Sequence, residues 1–171
     1  LVILASIAVF LVVKSIPALS ANSANFFTFQ QWFPDDTPAA FGIAALAFGT
    51  LMTAAIAMII AVPLGIGTAM FIAFYASRRL ASSLAFVVDV LAAVPSIIFG
   101  LWGLEFLMPN MFGLTQWMND YLGFIPLFNN TTGIYTKSIF IASVVLAIMI
   151  LPTMSAITRE VFAQVPRAHR E

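Results

Sequence analysis

The longest stretch of this chain without a charged side chain covers residues 37–77, which is 41 residues. As an α-helix, residues 42–76 alone would be about 52 Å long, whereas the hydrocarbon core of a bilayer is about 30 Å thick. A helix this long and this apolar is typical of a membrane span. We expect it to cross the bilayer at a tilt and to bend at Pro63.

Small residues recur at every fourth position of this stretch. Helices associate in lipid through close van der Waals packing, which small side chains permit. The pattern therefore predicts a helix-packing ridge, which winds around the helix because a four-residue step exceeds one turn of about 3.6 residues. Its members are Gly49, Thr53, Ala57, Ala61, Gly65, Ala69 and Ala73.

Composition places the whole chain in the membrane. It is 62% hydrophobic and 8% charged, with a mean hydropathy of +1.05, whereas soluble domains contain about 25% charged residues. We therefore expect an all-α integral membrane protein, built as a polytopic helical bundle with four transmembrane helices in this chain. The predicted helices are at residues 1–19, about 43–76, 82–108 and 138–158.

Several function classes are disfavoured by what the chain lacks. Seven basic residues balance seven acidic ones, whereas nucleic-acid binding requires a basic face. The chain has no cysteine and one histidine, so we expect no disulfide, no metal site and no cofactor. It contains no Walker-type phosphate loop and no Ser/His/Asp arrangement, which argues against an enzyme.

The polar segments divide the chain. Residues 1–19 are expected to form a first transmembrane helix closed by Pro17, and residues 20–40 an external, aromatic-rich loop. Residues 109–137 are predicted to be a second external insertion that contains a short amphipathic helix. A chain that begins without Met and ends at a charged residue is expected to be a fragment of a longer protein.

Pro95 predicts a break within residues 82–108. Proline is tolerated in the first turn of a helix and is costly in its middle. We therefore expect an interfacial helix before Pro95 and a membrane-crossing helix after it. Asp89, in the first part, is predicted either to pair with a nearby arginine (Arg78, Arg79 or Arg159) or to cap broken backbone. A direct part in a transport path, together with Pro95, Ser96 and Gly100, is the alternative.

Charge asymmetry predicts the orientation. The arginines at 78, 79, 159, 167 and 170 would share one face, whereas the other face would hold only Lys14 and Lys137. Because short cytoplasmic loops are enriched in basic residues, the arginine face is expected inside the cell. The N-terminus and residue 171 would then both be cytoplasmic.

The last segment, residues 159–171, joins a membrane helix to a basic and partly apolar peptide. Pro166 is placed to end the helix just before a new charged start. Such a break followed by a short helix could lie across the groove of a cytoplasmic partner. The alternative is a loop whose arginines only anchor the topology. The charged residues and proline of this candidate coupling segment are Arg159, Glu160, Pro166, Arg167, Arg170 and Glu171.

Three stretches together resemble the permeases of the ABC-type phosphate importer. They are residues 47–76, residues 86–109 with the motif VPSIIFGLWG, and residues 146–171. Glu171 matches the first residue of the family's Glu-Ala-Ala…Gly coupling motif. Trp102 within GLWG and the long insertion at 109–137 favour the C-type subunit over its A-type partner.

This resemblance implies a type I (MetI-like) ABC importer, in a bacterial cell membrane, whose full permease has six helices. Its partners would be an A-type permease subunit, cytoplasmic ATPase subunits, an external phosphate-binding protein and membrane lipid. Residues 41–171 would be part of the permease domain. Two alternatives stay open, namely an ABC permease for another solute and a non-transporting helical scaffold.

Overall fold

Long apolar helices dominate the structure, a computed structural model that describes residues 1–125, 128–129, 133, 135 and 138–164. Two units can be distinguished, residues 1–51 and 52–171. In chain order the elements are α1 (Val2–Ala21), β1 (Trp32–Phe33), β2 (Ala40–Phe41), α2 (Ala44–Met70), the π-helical turn π1 (Phe71–Tyr75), α3 (Arg78–Ala92), α4 (Ser96–Trp102), the π-helical turn π2 (Gly103–Leu107), α5 (Met108–Asn110), α6 (Phe112–Leu122) and α7 (Ile139–Gln164).

The first unit begins with α1, in which no residue is buried. We expected Pro17 to close this helix, and that prediction was wrong, because α1 continues through Pro17 to Ala21. A proline inside a helix removes one backbone hydrogen bond, and the remaining ladder can continue past it in a membrane segment.

A small aromatic hairpin follows α1. Strands β1 and β2 pair antiparallel, with Trp32 opposite Phe41. The Asn22 side chain holds the hairpin at its base, since its amide donates to the Phe41 carbonyl at 2.7 Å and its oxygen accepts from the Phe41 amide at 3.1 Å. The Phe41 ring is buried against the rings of Phe26 and Trp32.

Helix α2 and π1 form one continuous span of 32 residues, 44–75, of which residues 52–75 belong to the second unit. The structure buries Ala57, Ala61, Gly65 and Ala69, but it leaves Ala73 exposed and buries Ile72 instead. A four-residue step overshoots one turn by about 40° at ~100° per residue. The line of small residues therefore drifts, and the three-residue step to Ile72 returns it to the packed side.

The helix predicted over residues 82–108 is divided in two. Helix α3 begins at Arg78 rather than at 82 and ends at Ala92. The chain then bends by 89° before the helical segment 96–110. The break lies immediately before Pro95, which disfavours helical geometry in the residue that precedes it. The bend thus occurs where the position of Pro95 predicted it.

Helix α7 provides the main packing surface of the second unit. Its Ala147 joins Ala57 and Ala61 in a buried cluster, with Ile60, Leu146, Ile150 and Leu151 around it. Helices α3 and α4 and both π-helical turns also contact α7. Helix α6 covers part of the predicted external insertion and pairs the rings of Trp117 and Tyr121.

Three helices in the described part of the chain are long and apolar enough to cross a membrane, and a fourth span results if the bent pair is counted as one. The only strands among the described residues are the two short ones of the hairpin. The predicted class, an all-α polytopic membrane protein, is confirmed.

Candidate functional site

One predicted coupling residue and one predicted pathway residue meet at the C-terminal half of α7. Arg159 on α7 reaches Asp89 on α3, a residue 70 positions earlier in the chain. Its Nη2 donates to both carboxylate oxygens of Asp89, at 2.9 and 3.1 Å. Of the three arginine partners that the sequence left open for Asp89, the structure selects Arg159.

A polar contact one turn earlier joins α7 to α2. The Ser155 hydroxyl is buried and donates to the Gly65 backbone carbonyl at 3.3 Å. A Cβ built on Gly65 would lie 3.2 Å from the Cγ and 3.3 Å from the Sδ of Met154. Gly65 therefore allows α7 to approach α2 closely, as a small residue at a membrane helix contact does.

An aromatic contact lies one turn beyond Arg159. The Phe162 ring packs against the Phe74 ring of π1, with the ring centres 5.5 Å apart. The turn that carries Phe74 is closed by a hydrogen bond from the Ala76 amide to the Phe71 carbonyl, which is the five-residue spacing of a π-helix. Such turns often occur at functional sites.

The predicted coupling residues divide at the end of α7. Arg159 and Glu160 lie in the helix, Arg159 half-buried and Glu160 exposed. Pro166, Arg167, Arg170 and Glu171 lie outside the described residues. The described part of the segment therefore ends at Gln164, the last residue of α7.

The predicted pathway residues are not gathered around Asp89. Pro95, Ser96 and Gly100 are all exposed. Ser96 begins α4, beyond the 89° bend that separates α4 from α3. A Cβ built on Gly100 would meet nothing within 4 Å. Within this chain, then, Asp89 belongs to a contact between helices α3 and α7.

Two packing residues were not identified from the sequence. A Cβ built on Gly103 would lie only 2.5 Å from the Cγ2 of Val145. Because glycine has no side chain, π2 can pack closely against α7 at this point. Ser155 is the other. The available signal was the occurrence of single small or polar residues inside otherwise apolar spans, a pattern that membrane helix contacts share.

The described residues contain no group of three or more His, Cys, Asp or Glu side chains placed to hold a metal ion. Every buried side-chain nitrogen or oxygen there has a hydrogen-bond partner. The site is a set of contacts between helices.

Similarity to known proteins extends over nearly the whole chain. It is 45% identical to phosphate transport system permease protein PstC 2 of Mycobacterium tuberculosis, over 94% of this chain and 50% of that protein. It is 37% identical to PstC of Mesorhizobium japonicum, over 100% of this chain and 53% of that protein. Along nearly its whole length, then, the chain is similar to one half of a PstC permease.

Distant relatives extend the PstC likeness. A protein of Methanocaldococcus jannaschii, named as a probable PstC, is 34% identical over 92% of this chain and 51% of its own length. The chain spans about half the length of the curated PstC relatives it matches. No family model matches the chain, and no solved structure is significantly similar to it.

Proposed function

We propose that this chain is part of the permease subunit of an ATP-driven importer of inorganic phosphate. The observation that carries the proposal is its similarity, over 90% or more of its length, to proteins named as phosphate transport system permeases. The fold agrees, because apolar spans that pack through small residues are suited to line a path together with a second subunit.

The energy source is assigned to a partner. The printed sequence holds no Walker-type phosphate loop, and the described spans hold few ionisable residues of the kind that ion-coupled transporters use. ATP hydrolysis in separate cytoplasmic subunits therefore fits better than coupling to an ion gradient. An A-type permease subunit and an external phosphate-binding protein complete the proposed assembly.

The coupling role is assigned to residues 159–171. Its support is the position of the segment, whose residues 159–164 form the end of α7, the helix that contacts α2, α3 and π1 through Ser155, Arg159 and Phe162. A displacement imposed on the peptide by an ATPase would therefore reach several helices. A partner can transmit motion only if its contacts differ between two states.

The proposed orientation places the C-terminal end of α7 in the cytoplasm. The Arg159–Asp89 contact brings the end of α7 to α3, the helix that begins with Arg78 and Arg79. These arginines favour the cytoplasmic side. A reporter fused after Arg79 is expected to give a cytoplasmic signal, and an external signal there would reverse the model.

Co-purification and uptake test the proposal. The full-length protein, expressed with its neighbouring subunits, should bring an ATPase with it and should import labelled phosphate into proteoliposomes with ATP.

Glu171→Lys should leave membrane insertion and permease pairing intact, yet weaken ATPase binding or uncouple hydrolysis from uptake. Uptake of another anion in place of phosphate would identify a permease for a different solute. Absence of any ATPase would favour the scaffold alternative.

A further inference from the structure

Three side chains in the last turns of α7 occupy one face of the helix. Ser155, Arg159 and Phe162 are spaced by four and three residues, which places them on a single stripe. Each touches a different element, namely α2 through the Gly65 carbonyl, α3 through Asp89, and π1 through the Phe74 ring. We call these three contacts the α7 clamp.

The contacts of the clamp differ in what they can do. The hydroxyl–carbonyl and ring–ring contacts tolerate small shifts. The ion pair adds an attraction between opposite charges, with one guanidinium nitrogen within 3.1 Å of both carboxylate oxygens. The Arg159 side chain is 21% exposed and that of Asp89 is 51% exposed. Partly exposed ion pairs contribute little to stability, so the main consequence of this pair is the position it enforces.

We propose that Asp89 is a positioning residue that acts through Arg159 to hold the end of α7 on α3, so that α3 moves with the end of α7. This inference rests on the proposed function, because the motion concerned is the one that an ATPase partner would deliver. It assigns to the bent pair α3–α4 a part in receiving that motion, in addition to spanning the membrane.

The choice of Asp89 follows from its surroundings. It is the acidic residue of α3, and its contact with Arg159 is the one ion pair found in the described part of the chain. The end of α7 has no other charge-based attachment there to α2, α3 or π1. Without the carboxylate, α7 would keep the Ser155 and Phe162 contacts, and its last turn could rotate about them.

Charge removal and charge exchange in the full-length complex test the proposal. Asp89→Asn and Arg159→Gln should each lower ATP-driven phosphate uptake about tenfold, the range in which coupling mutations act. In Asp89→Asn, which lies outside the proposed coupling segment, the amount of co-purified ATPase and its basal hydrolysis should stay unchanged. The exchanged double variant, Asp89→Arg with Arg159→Asp, should recover most of the uptake. Arg79→Gln, which removes an exposed arginine from the same helix α3, is the matched control.

A second measurement does not depend on transport. This chain contains no cysteine, so a pair introduced at Phe74 and Phe162, with any cysteines elsewhere in the full-length protein replaced, can report on the end of α7. A short thiol cross-linker should join the two positions readily, and Asp89→Asn in the same background should slow that reaction several-fold.

The outcomes separate the inference from the proposed function. Unchanged cross-linking in Asp89→Asn overturns the inference. Normal phosphate uptake in the single variants does so too, as does uptake in the exchanged double variant that is no higher than in either single variant. If the unaltered protein failed to import phosphate, the proposed function would fall. Slower cross-linking in Asp89→Asn would still support the attachment of α7 to α3.

Discussion

Helices α1 and α2 are both long, apolar and able to span a membrane, yet they differ in packing. No residue of α1 is buried, whereas α2 buries Ala57, Ala61, Gly65 and Ala69. The small residues of α1 do not recur at four-residue spacing; they are Ala5, Ser6, Ala8, Ser15, Ala18, Ser20 and Ala21. In α2 the small residues recur every four positions.

The comparison separates two properties that a hydropathy profile merges. Apolar length determines whether a helix can enter the bilayer. It supplies no force between helices once they are there, because lipid is as apolar as leucine. Close contact then depends on small residues, and in this chain they lie on α2, π2 and the facing side of α7.

The largest effect is expected from Gly65→Leu. A Cβ at this position already lies 3.2 Å from Met154, and the remaining carbons of leucine would enter the contact that Ser155 also uses. Overpacking of this kind costs about 1–3 kcal/mol. Thermal unfolding of the purified full-length protein should show a clear loss of stability. Gly67→Leu is the matched control, because a Cβ at Gly67 meets nothing within 4 Å.

Equal stability of Gly65→Leu and Gly67→Leu would break the comparison. It would mean that the buried side of α2 is no more tightly packed than its exposed side. Assembly with the partner permease, measured by co-purification, should follow the same order as the thermal stability.

A smaller effect is expected from Gly103→Ala. The added methyl would lie 2.5 Å from Cγ2 and 3.0 Å from Cγ1 of Val145, and a valine side chain has little freedom to rotate away. We expect a loss of about 1 kcal/mol or more. Gly100→Ala, three residues earlier, meets nothing within 4 Å and should be neutral or slightly stabilising. Val145→Ala should relieve Gly103→Ala, and a failure of that rescue would contradict the assigned contact.

The smallest effect is expected from Ala8→Leu in α1, where the side chain is exposed. Substitutions away from packed features usually change stability by less than about 0.5 kcal/mol. The same thermal unfolding measurement checks this prediction. A loss as large as that of Gly65→Leu would show that α1 also lies in a packed interface of the full-length assembly.

Much of the fold was predictable because it depends on local patterns. The uncharged runs predicted the spans of α2 and α7. Pro95 predicted the break between α3 and α4, since proline removes a backbone donor and restricts the residue before it. The four-residue ridge pointed to the residues of α2 that are buried, up to Ala69.

The likeness to one class of permease was also available from the sequence, in the motif VPSIIFGLWG and its flanking helices. The long-range partners were not. The sequence offered three arginines as possible partners of Asp89. Only the packing of α3 on α7 shows that the partner is Arg159. The continuation of α1 past Pro17 was not predicted either. The burial of Ile72 in place of the expected Ala73 depends on how α2 and π1 pack, which the sequence pattern did not show.

The sequence by itself determined that this chain is built from membrane-spanning helices, that a helix breaks at Pro95, which face of α2 is small and which family the chain resembles. These properties follow from the polarity and geometry of neighbouring residues. Only the tertiary structure decided that Ser155, Arg159 and Phe162 attach one helix to three elements. Such contacts join residues up to 90 positions apart, and a periodic pattern within one helix holds no information about the register of another.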